Sequence, residues 1–355
     1  MTSFRKYFGY HFRSTLLRGI ILSVFAVLAA LIFASAYQSD LQKEYSSPTY
    51  YYYVDIYIGN VAVVASILAT VIPLLEMAPF KNRRNLDTLF FLPVSRGKMA
   101  AVHYLNGLLQ VLGITALYFG VEFLRIFSFF KYMNMEYVPL YLGAILLAAA
   151  VMYSIFMFIL TQANTLIDGV VFMTVYMVLG PVILEALDVL TGQELDHLGR
   201  SIGCYFIYSP VAILADTFDD LITPLLRYTS SDRLNFIMKS LDAKKLEFYA
   251  YELASFVFWL VIGGICVLGY FAAFIRQRSE KAGGISNSVF GYKTLIPLFS
   301  LSFLITGWLD GVSAILVVIA MAVGYMIYRR TFRLKLADWV ILGLFLTVVM
   351  GVLIF

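Results

Sequence analysis

Long apolar runs recur along the chain, and each is separated from the next by a polar segment. A membrane-crossing α-helix requires about 20 consecutive, mainly apolar residues. The runs that approach or reach this length are residues 19–37, 56–78, 100–122, 139–162, 169–190, 251–275, 289–308, 312–328 and 337–355. Because backbone groups in lipid must find hydrogen-bond partners within the chain, the sequence predicts an all-α, polytopic helical membrane protein with eight or nine transmembrane helices.

Composition supports this class. Hydrophobic residues make up 61% of the chain and charged residues 14%, and soluble domains of this size are far less apolar. Cys204 and Cys266 are distant from each other in sequence, which is neither a disulfide framework nor a metal-binding pattern. The net charge of +4 is modest. Its distribution along the chain indicates orientation in a membrane and not nucleic-acid binding.

The chain divides into three parts in this prediction. Residues 1–18 form an amphipathic interfacial helix, because Phe4, Phe8 and Phe12 recur every four residues with basic residues on the other face. Residues 19–275 form a six-helix core. Residues 276–355 form a C-terminal membrane hairpin followed by one last helix.

Basic residues predict the orientation of these helices. If the N-terminus lies inside, most of the 26 Lys and Arg residues fall in inner segments, as the positive-inside rule requires. The segment Ser201–Ala215 is apolar but too short to cross, and counting it as a span would place two basic clusters outside. We therefore expect a re-entrant or surface hairpin within an outer loop at 191–250. The predicted location is a cytoplasmic membrane.

The search for chemistry yields no enzymatic motif. The sequence has no H-E-x-x-H, G-x-S-x-G or phosphate-binding loop. The three histidines, His11, His103 and His197, are isolated in sequence and are predicted to be polar residues at headgroup depth and not ligands. We therefore expect no catalytic, cofactor-binding or metal-binding residue in this chain.

The acidic residues of most interest inside or near apolar runs each lie close enough to a run's end to reach water or to pair. They are Glu76, Glu122, Glu185 and Asp188. A charge at the membrane centre is costly and usually functional. The absence of a mid-depth acid in this interpretation argues against an ion-coupled secondary transporter.

The polar loop at residues 80–99 lies between the second and third runs. Within it Leu86, Leu89, Phe90 and Pro93 have helical spacing, which predicts a short helix with an apolar ridge. Such a ridge either rests on lipid headgroups or is bound by a partner protein. The residues alone favour neither.

Three segments carry a resemblance to a known family. The first is Arg84-x-x-Asp87-Thr88-x-x-x-Leu92-Pro93-Val94-Ser95-Arg96, followed by His103-Tyr104-Leu105-x-Gly107. The second is Tyr208-Ser209-Pro210. The third is Arg276-x-Arg278-Ser279-Glu280-Lys281-Ala282-Gly283. Together they resemble the permease subunits of the ABC type-2 transporter family. The last segment is similar to a motif of the Gram-positive branch related to acetoin-utilisation and cell-envelope-stress permeases. Longer members of that branch continue into an extracytoplasmic domain after the last span.

The resemblance implies roles for particular residues. The N-terminal helix would be the elbow helix of the family, and the 80–99 loop would contain the coupling helix that docks on an ATPase subunit. The implied ATPase contacts are Arg83, Arg84, Leu86, Asp87, Leu89, Phe90, Leu92, Pro93 and Arg96. The inner-face motif is Arg278, Glu280 and Lys281, and the outer hairpin is Tyr208, Ser209 and Pro210.

The implied function is that of a permease subunit in an ATP-driven exporter. It would dimerise with a second permease subunit, identical or different, and work with two ATPase subunits that bind ATP and Mg²⁺, while binding no cofactor itself. The expected substrate class is a peptide, an antibiotic or a lipid-like molecule. The alternative is a sensor or immunity module that signals or sequesters an envelope-active compound without transporting it.

Overall fold

The structure is a computed structural model and describes residues 4–44, 59–127, 138–191, 243–305 and 311–354. These residues form α-helices and one 3₁₀ turn, with no strand among them. The helices are α1 (Phe4–Glu44), α2 (Gly59–Lys81), α3 (Arg83–Phe90), α4 (Arg96–Phe127), α5 (Val138–Gln162), α6 (Leu166–Thr191), α7 (Ala243–Ile275), α8 (Tyr292–Ile305), α9 (Gly311–Arg329) and α10 (Leu336–Ile354). The 3₁₀ turn is Ser279–Lys281.

Six of these helices, α1, α2, α4, α5, α6 and α7, are long and apolar enough to cross a membrane. Their outward faces carry large apolar side chains, such as Phe25, Ile67 and Leu268. In water such surfaces would be unfavourable, whereas lipid tails solvate them. The chain therefore has the character of a multi-pass helical membrane protein, as the sequence predicts.

The predicted count of eight or nine spans depends on the last three helices. Helix α8 has 14 residues, which at about 1.5 Å per residue reaches roughly 21 Å, less than the hydrocarbon thickness of about 30 Å. Helices α9 and α10 have 19 residues each, which is within the usual range of a span. Among the described residues, six helices combine the length and the hydropathy of a candidate span, and the count of eight or nine stays a prediction.

Helix α1 differs from its prediction. The sequence predicts an interfacial helix that ends at residue 18 and a separate span from residue 19, whereas α1 continues through Gly19 without a break. A single glycine lowers helix stability by only about 1 kcal/mol. The polar side chains of the first turns contact α4, so this part of α1 packs along a neighbouring helix.

The chain forms two compact units. Unit 1 comprises Met1–Glu76, Pro93–Met157 and Pro210–Phe271, and unit 2 comprises Met77–Leu92, Phe158–Ser209 and Ala272–Phe355. In unit 1, α1 packs along α4, and Tyr104, Tyr153 and Tyr270 form a buried aromatic centre. In unit 2, α8 packs against both α6 and α9, and α9 packs against α10.

Candidate functional site

The predicted coupling loop contains a well-capped short helix, α3. The Asn82 side chain accepts a hydrogen bond from the Arg84 backbone N–H at 3.1 Å, and the Phe91 N–H closes the last turn on the Asp87 carbonyl. Asn is among the preferred N-cap residues because it satisfies a free N–H of the first turn. Pro93 follows, and proline does not continue a helix. The predicted short helix is therefore present.

The predicted partner-contact residues differ in exposure. Leu86 is fully buried within unit 2, so it anchors α3 to its own chain. Phe91, which the sequence analysis did not single out, is 88% exposed. The half-buried members are Asp87, Leu89 and Phe90, and the exposed members are Arg83, Arg84, Leu92, Pro93 and Arg96.

Helix α3 packs against the 3₁₀ turn Ser279–Lys281, which belongs to the same unit. Nearby, the rings of Phe80 and Phe274 meet edge-on at 4.9 Å, and the Gln277 side-chain amide donates to the Phe80 carbonyl at 3.4 Å. Two of the three segments that carry the resemblance are thus brought together, although about 190 residues separate them. Arg278, Glu280 and Lys281 of the inner-face motif are exposed. The outer hairpin with Tyr208, Ser209 and Pro210 lies outside the described residues.

A second candidate site lies in unit 1, where two polar stripes face each other. His11, Thr15 and Arg18 share one face of α1, because they lie at positions i, i+4 and i+7. The matching stripe on α4 is His103, Asn106 and Gln110. Asn106 and Gln110 donate to the Thr15 hydroxyl at 3.0 and 3.1 Å, and the Arg18 guanidinium donates to Gln110 Oε1 at 2.8 Å.

Glu76 of α2 lies at the centre of these stripes, and its side chain is completely buried. Its Oε2 lies 2.9 Å from His11 Nε2 and 2.9 Å from His103 Nδ1. Its Oε1 accepts hydrogen bonds from Arg18 and, at 2.8 Å, from Asn106. A buried carboxylate requires such partners, because an unpaired charge in an apolar interior is very costly. We call His11, Glu76 and His103 with their neighbours Arg18 and Asn106 the Glu76 cluster.

The cluster is not apparent from the sequence. His11 and His103 are isolated in the sequence and are predicted not to be ligands, whereas their ring centroids lie 4.0 Å apart. Glu76 is predicted to reach water or to pair, and in the structure it is paired. The sequence does carry a signal for the cluster, which is the spacing of polar residues on two apolar helices. The spacing is i, i+4, i+7 in the stripe on α1 and i, i+3, i+7 in the stripe on α4.

The Glu76 cluster is also the place where the described residues could hold a metal ion. The ligand atoms of His11, Glu76 and His103 all lie within 4.8 Å of one another. They come from three different helices, so the chain's packing and not local spacing brings them together.

Unit 2 contains a different buried carboxylate, Asp168, near the start of α6. It accepts hydrogen bonds from the hydroxyls of Ser286 at 2.6 Å and Tyr292 at 3.0 Å, and Arg330 lies 3.6 Å away. Arg330 also donates to the Gly283 carbonyl at 2.7 Å. These bonds hold the connection between α7 and α8 against the turn between α5 and α6. We call these residues the Asp168 cluster.

Lys81 makes a further contact in unit 2, close to the turn between α5 and α6. Its buried ammonium group donates to the carbonyls of Leu160 and, at 2.6 Å, Ala163 near the end of α5. Carbonyls at a helix C-terminus lack intrahelical partners and carry partial negative charge, so a cation is favourable there. Lys81 therefore links the end of α2 to the end of α5.

These contacts agree with one part of the predicted topology. The 80–99 loop, the 162–168 turn, the connection after α7 and the basic segment after α9 were all expected on one side of the membrane. Within unit 2, hydrogen bonds connect the described parts of these segments. They join Lys81 to Ala163, Asn164 to Ser286, and Arg330 to Gly283.

Comparisons with known proteins give no identification. No protein-family model, no curated protein and no solved structure matches the chain.

Proposed function

We propose that this chain is the membrane-spanning permease subunit of an ATP-driven exporter of the ABC type-2 kind. The observation that supports this most is the contact between α3 and the Ser279–Lys281 turn in unit 2. Both segments belong to the sequence pattern that resembles this family, and the resemblance alone would not require them to meet.

The structure of α3 suits a coupling element. Leu86 is buried, so α3 is anchored to the body of unit 2 and a force on it is transmitted to that body. Phe91 and Leu92 are exposed, with the cations Arg83 and Arg84 on the same short segment. Exposed aromatic anchors flanked by arginine are typical of the energetic centres of protein interfaces.

In this proposal an ATPase subunit contacts the end of α3 through Phe91 and Leu92, which follow it directly. ATP binding closes the ATPase dimer and pushes α3, which lies between α2 and α4 in the chain. The two helices then tilt, and access to a path between two permease subunits changes. The contribution of this chain is mechanical, and the ATPase subunits bind ATP and Mg²⁺.

The finer parts of the topology belong to the same proposal. We place the N-terminus and α3 in the cytoplasm, because basic residues favour that side. The first turns of α1 serve as the elbow helix although they are continuous with the first span. Helices α8, α9 and α10 complete the membrane domain as a hairpin and a last helix.

The test is co-purification of this chain with an ABC-type ATPase encoded beside it. Wild-type protein is expected to retain the ATPase and to support ATP hydrolysis in lipid nanodiscs. Phe91→Ala is expected to lower retention at least tenfold, since a central aromatic anchor contributes about 2 kcal/mol or more. Leu86→Ala is expected to destabilise the chain itself, because it removes a buried side chain.

The matched control is Phe332→Ala. Phe332 is 90% exposed and also belongs to unit 2, but it lies after α9 and not on α3. Its replacement should leave ATPase retention unchanged. Equal retention by wild type and Phe91→Ala, or equal loss in Phe91→Ala and Phe332→Ala, would contradict the proposed role of α3.

A further inference from the structure

We propose that the Glu76 cluster is a binding site for a divalent transition-metal ion of the Zn²⁺ type, held by His11 Nε2, Glu76 Oε2 and His103 Nδ1. This goes beyond the exporter proposal, because it concerns unit 1 alone and needs no ATPase. Two imidazoles and one carboxylate are a ligand set used by zinc sites that keep a fourth position open.

A small outward movement of the three ligand atoms would admit an ion between them. Zinc binds imidazole nitrogen and carboxylate oxygen at about 2.0–2.2 Å, so two ligand atoms at a tetrahedral angle are roughly 3.4 Å apart. In the structure both ring nitrogens lie 2.9 Å from Glu76 Oε2. An outward shift of about 0.5 Å would admit the ion. His11 is the ligand with room for this movement, since its side chain is 14% exposed.

The surrounding residues orient two of the three ligands, His103 and Glu76, as metal sites require. Ligating imidazoles usually donate their second N–H to another group, and ligating carboxylates are themselves hydrogen-bonded. His103 Nε2 lies 3.3 Å from the Tyr7 hydroxyl. Arg18 and Asn106 both bind Glu76 Oε1, which leaves Oε2 as a single donor atom directed between the two imidazoles.

The ligand chemistry indicates which ions are suitable. Imidazole suits Zn²⁺, Cu²⁺, Ni²⁺ and Co²⁺, whereas Mg²⁺ and Ca²⁺ prefer sites built from oxygen alone. Two neutral imidazoles would bind the ion without releasing a proton if each carried its N–H on the nitrogen that does not bind, Nδ1 in His11 and Nε2 in His103. The Nε2–H of His103 would then be shared with the Tyr7 hydroxyl. The bound ion would join α1, α2 and α4 and so hold the first helix against its neighbours.

The experiment uses the purified full chain in detergent, stripped with a chelator and titrated with Zn²⁺ and Co²⁺. We expect one ion per chain, visible absorption bands of low-coordinate Co²⁺, and a rise of about 5 °C in the thermal midpoint at a hundredfold excess over Kd. Mg²⁺ should produce no shift. His11→Gln should abolish the cobalt spectrum, and Tyr7→Phe should weaken the affinity about tenfold, as loss of an outer partner does.

His197→Gln is the matched control, since His197 is the remaining histidine of the chain. It should bind the metal as the wild type does. His11→Gln is the decisive ligand variant if Glu76→Gln or His103→Gln fails to fold, because His11 is the most exposed of the three ligands. The proposal is overturned if the wild-type chain binds no stoichiometric Zn²⁺, or if His11→Gln retains binding with an unchanged cobalt spectrum. The cluster is then a hydrogen-bonded ion pair alone.

Discussion

Glu76 in unit 1 and Asp168 in unit 2 are both buried carboxylates, and they have different neighbours. Glu76 in unit 1 is surrounded by nitrogen groups from long helices, among them two imidazoles and a guanidinium. Asp168 in unit 2 is surrounded by the hydroxyls of Ser286 and Tyr292, with Arg330 at 3.6 Å and 43% exposed. The Glu76 cluster joins the helices α1, α2 and α4, whereas the Asp168 cluster attaches the connection between α7 and α8 to the start of α6.

The different neighbours indicate different roles for the two carboxylates. Asp168 has partners that can only hydrogen-bond or pair with it, so it acts as a clamp for the segment after α7. Glu76 has two partners that also bind metals, and its partner Arg18 carries a full charge and is only partly exposed. Removing the charge of Glu76 should therefore disturb the molecule more than removing that of Asp168.

The largest effect is expected from Glu76→Gln. The substitution leaves Arg18 without a counter-charge in a largely buried place, which costs about 3–5 kcal/mol in comparable pairs, and the lower end applies here because Arg18 is partly exposed. Thermal unfolding in detergent can be followed with a thiol-reactive dye in a Cys204→Ser background, because Cys266 is buried in the folded chain.

Glu280→Gln is the control for that measurement, since Glu280 is exposed. It should unfold as the wild type does. A Glu76→Gln variant as stable as Glu280→Gln would show that the Glu76 cluster contributes little to the fold, and the contrast between the two carboxylates would disappear.

The next effect is expected at Gly107, which lies in α4 directly beside the Glu76 cluster. A Cβ at this position would collide with the Tyr153 hydroxyl and lie 3.0 Å from Glu76 Cγ. Gly107→Ala should therefore lower the free energy of unfolding by about 1–3 kcal/mol, as overpacking of a filled interior does. The readout is the same dye-monitored thermal unfolding.

Gly113→Ala on the same helix is the matched comparison, because no atom lies within 4 Å of its added Cβ. Alanine is the better helix former, so Gly113→Ala should be neutral or stabilising by up to about 1 kcal/mol. If both substitutions had the same effect, the close packing of α4 against Glu76 would be refuted.

Asp168→Asn should have a smaller effect than Glu76→Gln. The asparagine oxygen can still accept a hydroxyl hydrogen bond, and the lost ion pair with Arg330 is partly exposed and weak. A loss of about 1–2 kcal/mol is expected from one broken hydrogen bond to a charged group. Asp87→Asn on α3 should change stability less, and an Asp168→Asn loss larger than that of Glu76→Gln would reverse the comparison.

The smallest effect on stability is expected from Phe91→Ala. Phe91 belongs to neither carboxylate cluster and is almost fully exposed, so its removal should change the free energy of unfolding by no more than about 0.5 kcal/mol. The same variant should lose ATPase retention. A folded but uncoupled Phe91→Ala protein would separate the stability of unit 2 from its proposed function, whereas a marked loss of stability would show that Phe91 is part of the core.

The positions of the apolar helices were predictable from the sequence. The predicted runs 139–162 and 312–328 became Val138–Gln162 and Gly311–Arg329, since lipid-soluble segments must satisfy their backbone as helices. The α3 helix was predictable for a local reason as well, because Asn82 and Pro93 mark its ends. The burial of Leu86 on α3 and the exposure of Phe91 directly after it were not predictable, because only the packing of this short segment selects its buried face.

The helical, strongly apolar character of the chain and its division by polar segments follow from the sequence, because these properties depend on residues close together in the chain. Only the packing of the helices brings His11, Glu76 and His103 together and places α3 against Ser279–Lys281. Both arrangements join residues that lie dozens to nearly two hundred positions apart. Helical periodicity tells which face of a helix is polar, but only the packing of that face selects its partner.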